Sequence, residues 1–187
     1  MNSGSAPAIE TERLVLRGWR ESDRAPFAAL NADPMVMEHF PSTLTAAESD
    51  QMVDRIEEHF ASHGFGLWAV EARGVADFLG FVGLSIPRFE SHFTPCVEVG
   101  WRLAREHWGR GFAPEAARAA LRFGFERLRL AEIVSFTVPA NLKSRRVMEK
   151  IGMHRDPADD FDHPSLPVGH ALRRHVLYRM SREEWTR

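Results

Sequence analysis

The sequence predicts a mixed α/β fold, and three observations support that prediction. Several strand-like runs follow one another in the middle of the chain with short or medium connections, as in an antiparallel meander. Segments with apolar residues at helical spacing precede and follow these runs. A strand, a glycine-containing loop, a helix and another strand come next, which adds a strand–loop–helix–strand unit to the fold.

The first part of the chain is predicted to contain a strand and two helices. Arg13–Trp19 alternates between apolar and polar residues, which indicates a strand. The stretch "ESDRAPFAALNAD" predicts a short helix, and the proline-bounded Pro34–Pro41 is predicted to be irregular. Thr45 and Glu48 form the T-x-x-E pattern of a capping box, so Thr45–His63 is predicted as a helix.

The rest of the chain alternates strands with helices. The helix after the glycine-containing loop extends to about Leu128, and a further helix begins at its cap Asn141 and stops at Gly152. The polar, proline-rich segment 156–174 is predicted as a long loop, and such loops in compact domains are usually functional or mobile. The predicted strands are Phe65–Ala72, Asp77–Pro87, Cys96–Leu103, Glu132–Val138 and His175–Ser181.

Composition restricts the classes of function. The 187 residues include 24 basic and 26 acidic side chains, a formal net charge of −2, so no basic surface for nucleic acid is expected. Cys96 is the only cysteine, which excludes an internal disulfide and suits the cytoplasm; at the start of a strand it is expected to be a small core residue. Residues 1–10 lack signal-peptide features and are expected to be a loose lead-in, and no stretch is apolar enough to span a membrane. The sequence therefore predicts one cytoplasmic domain over residues 1–187.

The loop "WGRGFAPEA" has the properties of an anion-binding site. Gly109 and Gly111 free the backbone so that several N–H groups can converge, and Pro114 suits the first turn of a helix. The helix dipole adds about half a positive charge at that end, and phosphate is the anion that such sites usually bind. The alternative is a tight turn that merely requires glycine. One face of the helix that follows is mostly small, so the helix can lie close to a sheet; its residues are Ala113, Ala116, Ala117, Ala120, Leu121, Gly124 and Leu128.

Two common phosphate-binding motifs fit poorly. The Walker pattern G-x-x-x-x-G-K-[ST] is absent. The dinucleotide pattern G-x-G-x-x-G lacks its third glycine, because Pro114 occupies that position. A nucleotide-dependent oxidoreductase with an unusual glycine loop therefore remains only an alternative.

A longer segment carries a family resemblance. The run from Val97 to Met153, "VEVGWRLAREHWGRGFAPEAARAALRFGFERLRLAEIVSFTVPANLKSRRVMEKIGM", resembles the GNAT superfamily of acetyl-CoA-dependent N-acetyltransferases, in particular the branch with the ribosomal-protein N-terminal acetyltransferases. The pyrophosphate motif [QR]-x-x-G-x-[GA] of the superfamily aligns as Trp108-x-x-Gly111-x-Ala113, with tryptophan replacing the first residue. A second signature aligns with Asn141, Ser144, Val147, Met148, Lys150, Gly152 and Met153. The resemblance covers almost the whole chain.

The resemblance implies a fold and a cofactor site. The implied fold is a central, mostly antiparallel twisted sheet of six to seven strands with flanking helices, in which a splayed parallel strand pair holds acetyl-CoA. Arg110 is implied to touch a phosphate, although a solvated loop arginine is the alternative, and Asn141 is implied to hold the pantetheine in addition to capping its helix. The implied cofactor-binding residues are Trp101, Arg102, Leu103, His107, Trp108, Gly109, Arg110, Gly111, Phe112, Ala113, Asn141 and Ser144.

Acetyl transfer to an amine needs a base, because the amine attacks in its neutral form, and an acid, because the thiolate leaves better as a thiol. In many relatives a tyrosine is that acid, but its position here is Met148, and the only tyrosine, Tyr178, is expected to be structural. The resembled branch suggests Ser144 as the acid; the alternative is a serine that only hydrogen-bonds the cofactor. Glu98 is the preferred base, since alternation places it on the same strand face as Gly100; the alternative is an exposed glutamate in a cross-strand pair.

The sequence also allows other interpretations of the mechanism. Enzymes of this type can rely on positioning without a base, and the missing tyrosine also allows a non-catalytic acetyl-CoA-binding regulatory module. Weaker candidates for the base are His107, Asp159, Asp160, Asp162 and His163. The spacings of His154, His163, His170 and His175 are irregular, so no metal site is expected.

The acceptor is the least defined partner. By resemblance it is a small-molecule amine or a protein N-terminus that enters between the early helices and the late loop. Phe40, Phe65 and Trp68 are candidates to line that entrance, with a core role as the alternative. No nucleic-acid or membrane partner is expected, and the protein is expected to be a monomer or a homodimer.

Overall fold

Nine strands form one sheet in the computed structural model, which describes residues 6–186. Their order in the sheet is β1–β2–β3–β4–β5–β6–β9–β7, and β8 pairs with β9 beside that path. The strands are β1 (Ile9–Glu10), β2 (Leu14–Arg17), β3 (Leu67–Ala72), β4 (Ala76–Ser85), β5 (Glu98–Leu103), β6 (Glu132–Thr137), β7 (His154–Arg155), β8 (Phe161–Asp162) and β9 (Arg174–Ser181).

Helices cover the sheet, and their ends follow the sequence signals. Helix α2 begins with the predicted capping box, in which the Thr45 hydroxyl accepts from the Glu48 N–H and the Glu48 carboxylate accepts from the Thr45 N–H. It ends at Gly64, which adopts the left-handed conformation with φ 74°. The helices are α1 (Arg24–Ala32), α2 (Ala46–His63), α3 (Phe112–Arg122, continued by a π-helical turn at Phe123–Arg127), α4 (Leu142–Lys150) and α5 (Arg182–Trp185).

Helix α3 lies close to the sheet because its inner face is small. Ala116, Ala117 and Ala120 are fully buried in the main hydrophobic core. In the following π-helical turn, a Cβ added to Gly124 would lie only 2.6 Å from the Ile133 side chain. The alanine-rich stretch predicted this close approach. The first turn of α3 consequently lies near the end of β5.

The parallel pair β5 and β6 is open at one end. The other paired strands are antiparallel, whereas β5 and β6 share the single register pair Glu98–Val134. Val134 N–H also donates to the Val97 carbonyl at 2.9 Å. Beyond this point the two strands are no longer hydrogen-bonded, so they separate and leave an opening between them, as the family resemblance implied.

The structure corrects three expectations. The sheet has nine strands rather than six to seven, because β1, β7 and β8 each contain two residues and give no periodic signal. The lead-in 1–10 is not loose where it is described: Ile9–Glu10 pairs with β2, and the Pro7 carbonyl accepts from Trp68 Nε1 at 2.7 Å. Residues 1–5 lie outside the described part. The loop 156–174 includes a 3-10 turn at Pro157–Asp159 and strand β8.

Three clusters of buried apolar side chains hold the elements together. The largest lies between α2, α3 and the sheet, the second joins α1 to the outer part of β4, and the third lies under the loop before β9. Among the helices that the structure describes, none has the length and apolar character of a membrane span.

Candidate active site

A cavity of about 710 Å³ lies where β5 and β6 separate. That volume is in the range of sites for small molecules and cofactors. Its walls come from β5, from the glycine loop and the first turn of α3, from the start of α4, from residues 35–41 and from the segment before β9. Elements distant in the sequence therefore converge on the opening in the sheet.

The glycine loop forms the N–H-rich end of the cavity. Gly109 and Gly111 have φ of 73° and 79°, a left-handed conformation that glycine adopts without strain. Gly111 is the N-cap of α3, and no side chain caps the helix. The first-turn N–H groups have no partner within the helix, so they are available to an anion, as the sequence predicted.

An ion pair supports the loop from outside. Arg13 pairs with Glu115 at 2.6 Å, and its Nη1 donates to the Arg110 carbonyl at 3.0 Å. Burial acts to raise the pKa of Glu115, but hydrogen bonds from Thr11 and Arg13 outweigh it and lower that pKa. Arg13, which precedes β2, thus holds the loop through the Arg110 carbonyl and the first turn of α3 through Glu115.

Trp108 occupies the position where the family pattern has a polar residue, and its side chain is held there by two contacts. Its Nε1 donates to the Leu103 carbonyl at 2.8 Å, and the Lys143 ammonium lies 4.2 Å from its ring centroid. Lys143, Arg146 and Lys150 follow one another along α4 and line the cavity. We had not predicted these three cations; their spacing of three and four residues on one helix face was the available signal.

Glu98 lies where the two parallel strands part. It lines the cavity, and burial raises the pKa of its carboxyl to about 8. Among the described residues, no side chain forms a hydrogen bond or ion pair with its carboxylate. A carboxyl group in this state gains and loses a proton near neutral pH, which is a requirement for a general base.

Helix α4 presents Ser144 to the same cavity. Asn141 caps the helix by accepting from the Ser144 N–H at 3.2 Å, and its amide donates to Thr137 at 3.0 Å. Within the described chain, the Ser144 hydroxyl has no hydrogen-bond partner. Tyr178 is buried away from the cavity lining and donates to Glu149 at 3.0 Å, which fits a structural role.

The family profile described as the Acetyltransferase (GNAT) domain matches residues 13–154. The chain belongs to the GNAT acetyltransferase family. This acetyltransferase is 32% identical over 196 residues to FsC-acetyl coenzyme A-N(2)-transacetylase of Aspergillus fumigatus, with 100% of this chain and 81% of the relative covered. The expected family is thereby confirmed.

Solved structures share the fold. A GNAT-family acetyltransferase from Bacillus anthracis has a TM-score of 0.77 and 26% identity, with 95% of this chain and 99% of that chain covered. The ribosomal-protein-S5-alanine acetyltransferase from Vibrio fischeri has a TM-score of 0.69 over 96% of this chain and 98% of its own; at 20% identity that likeness concerns the fold alone. The protein is therefore an N-acetyltransferase that uses acetyl-CoA, and the uncapped glycine loop fits the phosphates of that cosubstrate.

The acetyltransferase brings most of the predicted site residues together. Arg110 is exposed and outside the cavity lining, and its guanidinium lies 4.9 Å from the Phe112 ring centroid, which favours the solvated alternative. The Arg102 side chain contacts Asn31 and Phe40, and its contact with the cofactor stays a prediction. The predicted residues that line the cavity are Glu98, Trp101, Arg102, Leu103, His107, Trp108, Gly109, Gly111, Phe112, Ala113, Asn141 and Ser144.

Aromatic and imidazole rings line the cavity beside residues 35–41 and the segment before β9. Of the three aromatic residues suggested for the entrance, Phe40 lines the cavity, whereas Phe65 and Trp68 are buried in the main core. His163 and His175 also line it, and burial lowers the pKa of both imidazoles. Both rings are therefore neutral near pH 7.

The acidic residues of the late loop are engaged elsewhere. Asp159 pairs with Arg179, Asp160 with Arg155, and Asp162 with Arg173 and Arg174. None of these carboxylates lines the cavity. Within residues 6–186, no group of His, Cys, Asp or Glu side chains has the arrangement of a metal site.

Proposed function

We propose that this enzyme transfers the acetyl group of acetyl-CoA to a primary amine of a small molecule or a protein N-terminus by direct attack in a ternary complex. The observation that carries the proposal is the position of Glu98 in the cavity, at the point where the parallel strands separate. Its pKa of about 8 suits removal of a proton from an ammonium group. The base form is then available at mildly alkaline pH.

The glycine loop and α4 hold the cosubstrate in this proposal. The N–H groups at the start of α3 bind phosphate, and the cations Lys143, Arg146 and Lys150 add positive charge along the same wall. Acetyl-CoA supplies the acetyl group as a thioester. Ser144 lines the same cavity, and its hydroxyl, which has no hydrogen-bond partner among residues 6–186, donates the proton that the departing sulfur needs.

Direct attack is favoured over an acetylated enzyme intermediate. Cys96, the only cysteine in the chain, does not line the cavity. Burial raises the pKa of its thiol to about 11, so the thiol stays protonated and weakly nucleophilic near neutral pH. The amine therefore attacks the thioester itself, and both substrates occupy the cavity together.

The relatives support two classes of acceptor. One is named as a transacetylase of FsC, and a relative from Bacillus subtilis is named as a putative ribosomal N-acetyltransferase. Residues 35–41 and the segment before β9 both line the cavity that contains Glu98, and the proposal includes both classes of acceptor.

Initial-velocity kinetics test this proposal. Release of CoA thiol is followed while acetyl-CoA and an amine are varied together, with a panel of small primary amines and short peptides that begin with alanine or serine. We expect amine-dependent thiol release and intersecting double-reciprocal lines. Parallel lines would contradict direct attack, and thiol release that no amine accelerates would contradict transfer to an amine.

A further inference from the structure

A buried cation lies in the cavity beside residues 35–41. The Arg102 side chain is 9% exposed and lines the cavity. Its Nη1 donates to Asn31 Oδ1 at 2.6 Å, and its guanidinium carbon lies 4.2 Å from the ring centroid of Phe40 and 5.5 Å from that of Phe81. Helix α1, the segment after it and strand β4 thus enclose one arginine.

The charge of this arginine has no anionic partner in the described part of the chain. Within residues 6–186, no carboxylate forms an ion pair with it, and its Nε is buried without a hydrogen-bond partner. Burial lowers the pKa of Arg102 only to about 10, so the group is charged at neutral pH. A buried unpaired cation is costly, and such a cation commonly has a bound anion as its partner in function.

Strand β5 aligns this arginine with the proposed base. Side chains alternate along a strand, so Glu98, Gly100 and Arg102 belong to one face. Glu98 and Arg102 are four residues apart, which corresponds to about 13 Å between their Cα atoms. Gly100 has no side chain, so the strand surface between Glu98 and Arg102 is uncovered. A Cβ at Gly100 would meet only Glu98 Oε1, at 3.8 Å. An extended molecule can lie along this strip with one end at each charged residue.

We propose that Arg102 binds a carboxylate of the acceptor, so that the acceptor is an amine with a carboxylate several bonds away from the reacting nitrogen. The inference rests on the proposed function, because it places the amine at Glu98. A guanidinium offers two N–H groups on one edge, which match the two oxygens of a carboxylate. One arginine neutralises a single charge, which favours a carboxylate over a phosphate dianion.

Access to the unpaired Nε requires a neighbour to move. Phe40 is suited to this, because it is 38% exposed and belongs to a segment of turns rather than a helix or strand. Phe81, on β4, is buried and fixed by the aromatic cluster around Phe27. The acceptor thus enters from the Phe40 side.

Matched pairs of ligands test the inference. Binding of γ-aminobutyrate and ε-aminocaproate to the CoA-saturated protein is measured by calorimetry against their carboxamides, and acetylation of each compound is measured in parallel. We expect at least one carboxylate to bind about tenfold or more tightly than its amide, and to be acetylated with a correspondingly higher kcat/KM. Arg102→Met should abolish that preference, and Arg102→Lys should keep part of it.

Arg105→Met is the control, since Arg105 is exposed near the same strand and its charge faces Asp33; it should leave the preference unchanged. Equal or undetectable binding of both members of every pair overturns the inference, as does tighter binding of O-phosphoethanolamine than of every carboxylate. If CoA binds and neutral amines are acetylated in that case, the proposed function stands. Absence of CoA binding and of acetylation would overturn the proposed function itself.

Discussion

At the scale of single residues, the proposed chemistry depends on the protonation of Glu98. Its pKa is raised to about 8 by burial, so the carboxyl is mainly protonated at pH 7 and becomes a base as the pH rises through 8. With an aromatic amine that is neutral throughout the range, kcat/KM should increase from pH 6, reach half its maximum near pH 8 and level off above about pH 9. Glu98→Gln should lower kcat/KM by about a hundredfold or more and remove the pH dependence.

Glu90→Gln is a suitable control, because Glu90 is exposed in the connection after β4 and outside the cavity lining. It should keep the natural rate and pH profile. A Glu98→Gln enzyme that retains the rise with pH would show that another group titrates, and Glu98 would then be removed from the mechanism.

At the scale of elements, the glycine loop and α3 act as one unit. Gly111 has φ 79°, and an added Cβ would meet Arg13 Nη2 at 3.3 Å, so Gly111→Ala strains the backbone and disturbs the support of the loop. We expect a loss of about 1–2 kcal/mol in stability and about a tenfold weaker affinity for acetyl-CoA, measured by thermal unfolding and calorimetry.

Gly74→Ala is the control that separates the loss of stability from the loss of acetyl-CoA affinity in Gly111→Ala. Gly74 has φ 70°, lies in the turn between β3 and β4, and has open space around its missing Cβ. Its alanine variant should lose a similar amount of stability with unchanged affinity for acetyl-CoA. If Gly111→Ala also leaves the affinity unchanged, the N–H cradle is not the phosphate site.

The elements also show what sequence patterns can predict. The capping box of α2, the alanine face of α3 and the glycine loop were predicted because each signal is local or periodic. Strands β1, β7 and β8 were missed because two residues have no period, and their existence depends on neighbours distant in the chain. The surroundings of Arg102 were missed for the same reason: its partner Asn31 is 71 residues away.

At the scale of the whole molecule, the fold gives the cavity two chemically different ends. The open parallel pair β5–β6 forms the centre, with Glu98 at the point of separation. In the proposed function the glycine loop and the cations of α4 form the end for the phosphates, and residues 35–41 and the segment before β9 line the other end. Each end is assembled from elements on both sides of the sheet opening, so binding at either end depends on the fold as a whole.

The central claim is that this fold binds acetyl-CoA, and thermal unfolding with separate excesses of acetyl-CoA, CoA, NAD and ATP tests it most directly. A ligand of the folded state at about 100 times its Kd adds about 2.7 kcal/mol of stability, or roughly 5–10 °C in Tm for a chain of this size. We expect that rise with acetyl-CoA and CoA, and a markedly smaller response to NAD and ATP. No response to either CoA compound, or a larger response to NAD, would contradict the account.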